Sequence, residues 1–255
     1  MDHNLFKSQS FEQGKNSVVG DCNGLSMQER WDQETPVFAE AISSHLKAGD
    51  VSVLDYGCGV GRLAKAMLQI NPGISVIGVD DSQNQLDLAK DYVWDNRFIP
   101  VKPEGLGQKV DLAYCVYVLQ HIPAIAIREA LQRIHHFLKD DGIFVYCSSD
   151  YRMAVRFDGK GFFDDRFLGV NLQEEVGRFF EPVGELFPKN IASGVIQTMV
   201  FGAEGGLHHP ALVFRKKRIS GPLFNSQAST DNTEPQGRIK ALTRSLPKRL
   251  ILRNR

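Results

Sequence analysis

The chain has 255 residues, 42% of them hydrophobic, with thirty Lys and Arg against thirty Asp and Glu. That length can bury one full core with appendages, and the balanced charge sets up no global field that selects nucleic acid or an anionic membrane. Met1 to Lys7 carries no long apolar segment and no run approaches transmembrane length, so neither a secretory signal nor a membrane span is expected, and a cytoplasmic location is read from this.

Residues 1–25 are polar with scattered glycine and asparagine and are expected to be loose. Ser26 to Glu29 reads as a capping box, and Thr35-Pro36 as an N-cap and first-turn pair for a helix through Leu46. Trp31 lies in this helical cover, and packing anchor is the reading weighed above closure of a site. Strands are expected near 51–56, 74–79, 97–101, 111–116 and 142–148, alternating with helices near 61–70, 82–94 and 124–139. Ile127, Leu131, Ile134 and Leu138 form the core stripe of the last of these helices. Such alternation implies a parallel sheet with helices on both faces. The link Lys102 to Val110 is rich in glycine and proline and too short for a full helix.

Beyond the fifth strand, Asn171 to Glu174 starts a helix with Leu172, Val176, Phe179 and Phe180 inward. Val195 to Phe201 and Ala211 to Arg215 read as two briefly connected and therefore antiparallel strands. Residues 219–237 have linker composition, and residues 238–255 hold seven Lys or Arg and no acid. Ile239, Leu242 and Leu246 have helical spacing there, broken at Pro247. A solvated tail is one reading of this end, and weak contact with an anionic surface is the other. The expected domains are a flexible stretch 1–25, a folded domain 26–218, and a disordered linker with basic tail 219–255.

Cys22, Cys58, Cys115 and Cys147 are widely spaced, with no C-x-x-C, and read as buried and reduced rather than as disulfides or a metal site. The side chains of His135-His136 and His208-His209 diverge on any regular element, so solvated histidines are expected and no metal is assigned.

The chemistry concentrates in Val51 to Arg62, VSVLDYGCGVGR. A short apolar run stops at Asp55, glycine follows at 57, 59 and 61, and Leu63, Met67 and Ile70 then recur at helical spacing. A strand, a tight glycine turn and a helix let a ligand touch backbone at the carboxyl end of a sheet. A dinucleotide fingerprint would require glycine at position 62, where this chain has Arg62. Ile74 to Val79 ends at Asp80, roughly twenty residues after the glycines, where a carboxylate can hydrogen-bond a ribose diol. Asp111 to Pro123 (DLAYCVYVLQHIP) and Leu138 to Gly142 followed by IFVYC complete the pattern.

Together these four pieces, in order, resemble class I S-adenosylmethionine-dependent methyltransferases over roughly residues 26–217. The resemblance implies a Rossmann-like α/β sheet, mostly parallel with a C-terminal antiparallel strand, and helices on both faces. It implies S-adenosyl-L-methionine as cofactor, held by Gly57, Gly59, Gly61 and Asp80, with the last on the ribose. Asp55 is assigned to orienting the turn and the cofactor ammonium, or to capping the loop amides. His121 follows the fourth strand and is the candidate general base, with a structural role as the competing reading. Asp111 lies at the wrong end of its strand, and Glu104 is a weak candidate for an adenine contact. The aromatic, Arg- and Asp-rich segment Tyr151 to Phe167 is a candidate acceptor lid, with packing as the alternative. The expected function is methyl transfer to a small-molecule acceptor. A non-catalytic cofactor-binding or scaffold protein is the alternative, and a nicotinamide-dependent oxidoreductase is disfavoured by the glycine spacing and the expected terminal hairpin.

Overall fold

A computed structural model describes residues 10–21, 24–49, 51–122, 124–148, 172–187, 194–200 and 211–219. Cys22, the 151–167 segment, His208-His209 and the tail beyond Ile219 lie outside the described residues.

The seven strands are β1 (Val51–Tyr56), β2 (Ile74–Val79), β3 (Phe98–Val101), β4 (Val110–Val116), β5 (Leu138–Cys147), β6 (Phe180–Glu185) and β7 (Ala211–Lys216). They form one sheet in the order β3-β2-β1-β4-β5-β7-β6. The first five pair in parallel, while β7 runs antiparallel to both β5 and β6. Strand order reverses between β1 and β4, so the crevice at their carboxyl ends is where an open α/β sheet takes its ligand.

The central strands are buried on both faces. In β1, Val53 belongs to one apolar cluster with Phe38, Met67 and Leu112, and Leu54 to the other with Ile127, Leu131 and Phe144. Helices α4 (Arg62–Ile70) and α5 (Gln83–Val93) cover the first face, and α6 (Ala124–Phe137) covers the second. A further helix covers each face after β5, Leu172–Phe179 on the second and Gly194–Val200 on the first.

Four expectations are corrected. Residues 194–200 form a helix, not a strand, because Val195, Ile196, Met199 and Val200 recur at i, i+1, i+4 and i+5 and make one buried helical face. The antiparallel neighbours of β7 are therefore β5 and β6. Within the stretch read as loose, Phe11–Val18 forms helix α1, capped by the Ser10 hydroxyl. His135, expected to be solvated, is buried against Phe179 and Phe180, with Nε2 2.8 Å from the Lys217 carbonyl. Finally, Thr35 is not an N-cap, since its own backbone is already helical. The capping box at Ser26 opens α2 (Met27–Glu29), a π-helical turn follows over Arg30–Glu34, and α3 (Thr35–Ser43) continues from it. Pro36 has no N–H to give, and the wide turn just before it absorbs the break in the ladder.

That π turn places buried charge against α4. Arg30 Nε donates to Glu34 Oε2 at 3.0 Å, and Arg62 Nη2 lies 3.8 Å from Glu34 Oε1. Arg62 Nε also donates to Thr35 Oγ1 at 2.6 Å, and its Nη2 to the Arg30 carbonyl at 3.0 Å. Glu34 is fully buried. Glu34→Ala should therefore cost about 3–5 kcal/mol, because it strands buried guanidinium charge. Urea unfolding measures this, and a loss below about 1 kcal/mol would mean that water already reaches the cluster.

Candidate cofactor site at the glycine turn

β1 delivers Asp55 to the sheet edge, paired across the ladder with Gly78 of β2 and Tyr114 of β4. The chain then reverses through Gly57, Gly59 and Gly61, with φ of +82°, +52° and +80°. All three positions also lack room for a side chain, Gly61 because its Cβ would lie 2.6 Å from Val93 Cγ2. A Cβ on Gly57 would run into Val118, and one on Gly59 would lie 2.5 Å from Val18 Cγ2. Glycine thus serves both the left-handed backbone and the close approach of neighbours.

The loop amides have defined partners. Gly57 N and Cys58 N both donate to the Val79 carbonyl, at 2.7 and 2.9 Å, and Gly61 N donates to the Cys58 carbonyl at 2.9 Å. Gly59 N donates to Asp80 Oδ2 at 3.0 Å, and Ser82 N to Asp80 Oδ1 at 2.9 Å. Asp80 therefore clips the glycine turn to the start of α5. Its pKa is raised by burial, opposed by those two amide bonds.

Val79 and Asp80 thus hold the amides of the glycine turn, while Asp55 takes the amide of Ala64 in the first turn of α4. Asp55 is only 4% exposed, and its Oδ2 has no hydrogen-bond partner. Burial pushes its pKa up to about 7, the nearby Tyr114 hydroxyl pulls it down, and the charge of Asp80 pushes it up again. A carboxylate poised near neutrality in a crevice is a functional-site signature.

Asp55 and Gly57 line a cavity of about 20 Å³ with Val18, Arg62, Val116 and Tyr117. That is room for about one water molecule. Four of these lining residues escaped the sequence reading. Val18 comes from α1 and covers Gly59. Arg62 was read only as the residue that breaks a dinucleotide fingerprint, although a charged residue opening a helix directly after the glycines was a usable signal. Tyr117 holds φ +59°, a strained value for a non-glycine residue, and its N–H donates to the Cys147 carbonyl at 2.7 Å. No sequence pattern announces that geometry.

Asp80 and His121 do not line this cavity. His121 sits on a short 3₁₀ turn, Leu119–His121, after β4. It occupies the same carboxyl edge, and burial pulls its pKa down to about 4. Trp31 packs between Phe11, Tyr92 and the Arg62 guanidinium, which matches the anchor reading. Asp111 is at the far end of β4, accepting from Ser52 N and paired with Lys139. Glu104 is exposed on a 3₁₀ turn.

A methyltransferase domain family model matches residues 25–180. The chain belongs to the class I S-adenosylmethionine-dependent methyltransferase family.

Among curated relatives of this methyltransferase, the sphingolipid C9-methyltransferase of Komagataella phaffii is 27% identical over 158 residues, 55% of this chain and 32% of that protein. The ubiquinone biosynthesis O-methyltransferase of Bradyrhizobium diazoefficiens is 28% identical over 138 residues, 52% of this chain and 53% of that protein. The chain therefore spans about a third to a half of the length of these relatives. Among solved structures, the PH0226 protein of Pyrococcus horikoshii superposes with a TM-score of 0.55 at 17% identity, covering 74% of this chain and 92% of that one. That likeness concerns the fold. Among the described residues, no helix is long and apolar enough to cross a membrane.

Proposed function

We propose that this methyltransferase moves the methyl group of S-adenosyl-L-methionine to a small-molecule acceptor at the carboxyl edge between β1 and β4. One observation carries the reading. The left-handed glycine turn brings bare backbone to the switch point of the sheet, beside a buried Asp55 whose Oδ2 lacks a partner.

The residues present fit the cofactor. Asp55 carries a buried carboxylate oxygen without a partner into the cavity wall, which suits the ammonium of an amino-acid end, while the Arg62 guanidinium is taken by Glu34, Thr35 and the Arg30 carbonyl. Gly57, Gly59 and Gly61 let backbone approach it, and Asp80 keeps lone pairs for a ribose diol beyond the two amide bonds it accepts. The bound cofactor supplies an electrophilic methyl on a sulfonium, so the protein's task is to orient a nucleophile in line with the leaving sulfur. Few proton transfers are then obligatory, and a base is needed only where the acceptor must lose a proton.

Asp80→Ala should weaken cofactor binding by about 1–3 kcal/mol, since it removes a hydrogen-bond acceptor from the ligand and from Gly59 N. Calorimetry with S-adenosylhomocysteine checks it, and unchanged affinity would remove Asp80 from the ribose. Function itself is tested by incubating the protein with methyl-labelled cofactor and a metabolite extract. Label in a small-molecule fraction supports the proposal, label in RNA or protein overturns the acceptor class, and binding without transfer leaves a cofactor-binding protein.

A further inference from the structure

Three polar side chains link the turn after β4 to the end of β5. Ser148 Oγ donates to Gln120 Oε1 at 2.9 Å, and Gln120 Nε2 lies 3.2 Å from His121 Nε2. Ser148 is 1% exposed and Gln120 6%, so these hydrogen bonds are shielded from water. The backbone holds it from both sides. His121 N donates to the Val118 carbonyl at 2.8 Å, and Tyr117 N donates to the Cys147 carbonyl at 2.7 Å, immediately before Ser148.

The polarity of the chain follows from the orientation of the Gln120 amide, whose Oε1 faces the Ser148 hydroxyl and whose Nε2, which can only donate, faces the ring. With Gln120 Oε1 engaged by Ser148, its Nε2 is the group facing the imidazole, and His121 Nε2 must accept. A neutral imidazole that accepts at one nitrogen carries its proton at the other.

We propose that Ser148 and Gln120 are positioning residues that fix His121 as a neutral imidazole protonated on Nδ1, so that it serves as a hydrogen-bond donor and not as the general base. Burial favours the same neutral form, holding the ring pKa near 4. Neither nitrogen can then take a proton without cost. Nε2 would have to give up the Gln120 amide, and Nδ1 already carries its proton.

The consequence concerns the acceptor. A nucleophile served by this edge brings its own lone pair, as an amine or an already ionised oxygen or sulfur does, or it loses its proton to a group other than His121. For that consequence, though not for the tautomer, the inference rests on the methyl-transfer reading of the site.

The tautomer can be read directly, without an acceptor. Long-range proton–nitrogen spectra of the uniformly ¹⁵N,¹³C-labelled full chain, with His121 assigned through bonds in the parent itself, are expected to show Nδ1 protonated and Nε2 unprotonated between about pH 5.5 and about pH 8, a range that brackets the ordinary histidine midpoint of about 6.5. Gln120→Glu should reverse this, because a carboxylate demands a proton on Nε2, and it should raise the pH at which the ring titrates. Ser148→Ala should release the amide and yield a mixture of tautomers. A parent spectrum with the proton on Nε2 overturns the proposal even if no variant folds, and so does a Gln120→Glu spectrum identical to the parent's. Titration of the same sample with S-adenosylhomocysteine separates the two readings. Absence of binding with the Nδ1 tautomer intact would sink the methyl-transfer site and leave the relay standing.

Discussion

Gly59→Leu is expected to weaken cofactor binding at least about a hundredfold, or roughly 2.7 kcal/mol, while the sheet stays folded. Two physical effects act together. At φ +52° a side chain costs about 1–2 kcal/mol of backbone strain. Its Cβ would also lie 2.5 Å from Val18 Cγ2, so either the turn or α1 must shift. Both consequences fall on the loop that brings Asp80 and Asp55 to one edge. Val18→Ala is the control: it relieves contact over Gly59 without touching the turn, and it should bind at least as tightly as the parent. Calorimetry and circular dichroism on the three proteins decide the matter. A Gly59→Leu protein with parental affinity would mean that the cofactor does not approach this turn.

The glycine turn could be read from the sequence because its constraint is local. A strand ending in an acid, followed by glycine at three alternate positions, has few physical uses, and the helix after it begins where periodicity says it should. The two faces of the sheet were equally legible, since buried parallel strands and amphipathic helices leave different periods in the chain. What failed was whatever depends on tertiary partners. Val195 to Val200 is rich in β-branched and apolar residues, and a propensity argument prefers a strand there. Its burial against the first face of the sheet made it a helix instead. Helix α1 looked polar because its contribution is made by a few contacts, Phe11 on Tyr92 and Trp31, and Val18 on Gly59.

The site shows the same division. Asp55, the glycines and Asp80 lie on one continuous strand–turn–helix–strand unit, so spacing alone places them. Arg62 and Tyr117 join them only when the π turn and the end of β4 fold inward. The segment Leu138 to Gly142 illustrates a smaller version of the problem. Read as the end of a helix, with Leu138 on its core stripe, and then a turn, it is the beginning of β5, with the register against β4 shifting between Val110 and Leu112. An irregularity of that kind is set by the neighbouring strand.

Asp55→Asn should remove a pH dependence of stability that the parent carries. An unfolded aspartate titrates near 3.8, and burial raises Asp55 to about 7. Between those values the folded parent holds a proton that the unfolded chain has released, so its stability falls as pH rises from about 4 to about 7 and then levels off. Three units correspond to roughly 4 kcal/mol, and Asp80, shifted in the same direction, remains in both proteins. The exposed, ion-paired carboxylates cancel in the comparison. The Asn variant should therefore gain on the parent by about 3 kcal/mol between about pH 5 and about pH 8, two of those units, as read by urea unfolding across that range. Cofactor binding should respond in the opposite sense. An ammonium beside Asp55 favours the carboxylate, so parental affinity should fall about tenfold per pH unit below 7 and be flat above it, while the variant binds weakly at every pH. Calorimetry in two buffers of different ionisation enthalpy counts the proton that the parent releases on binding below pH 7. If parent and variant keep a constant stability difference from pH 5 to 8, Asp55 is already ionised in the folded protein. In that event its unpartnered oxygen faces water, and the ammonium must be held by another group.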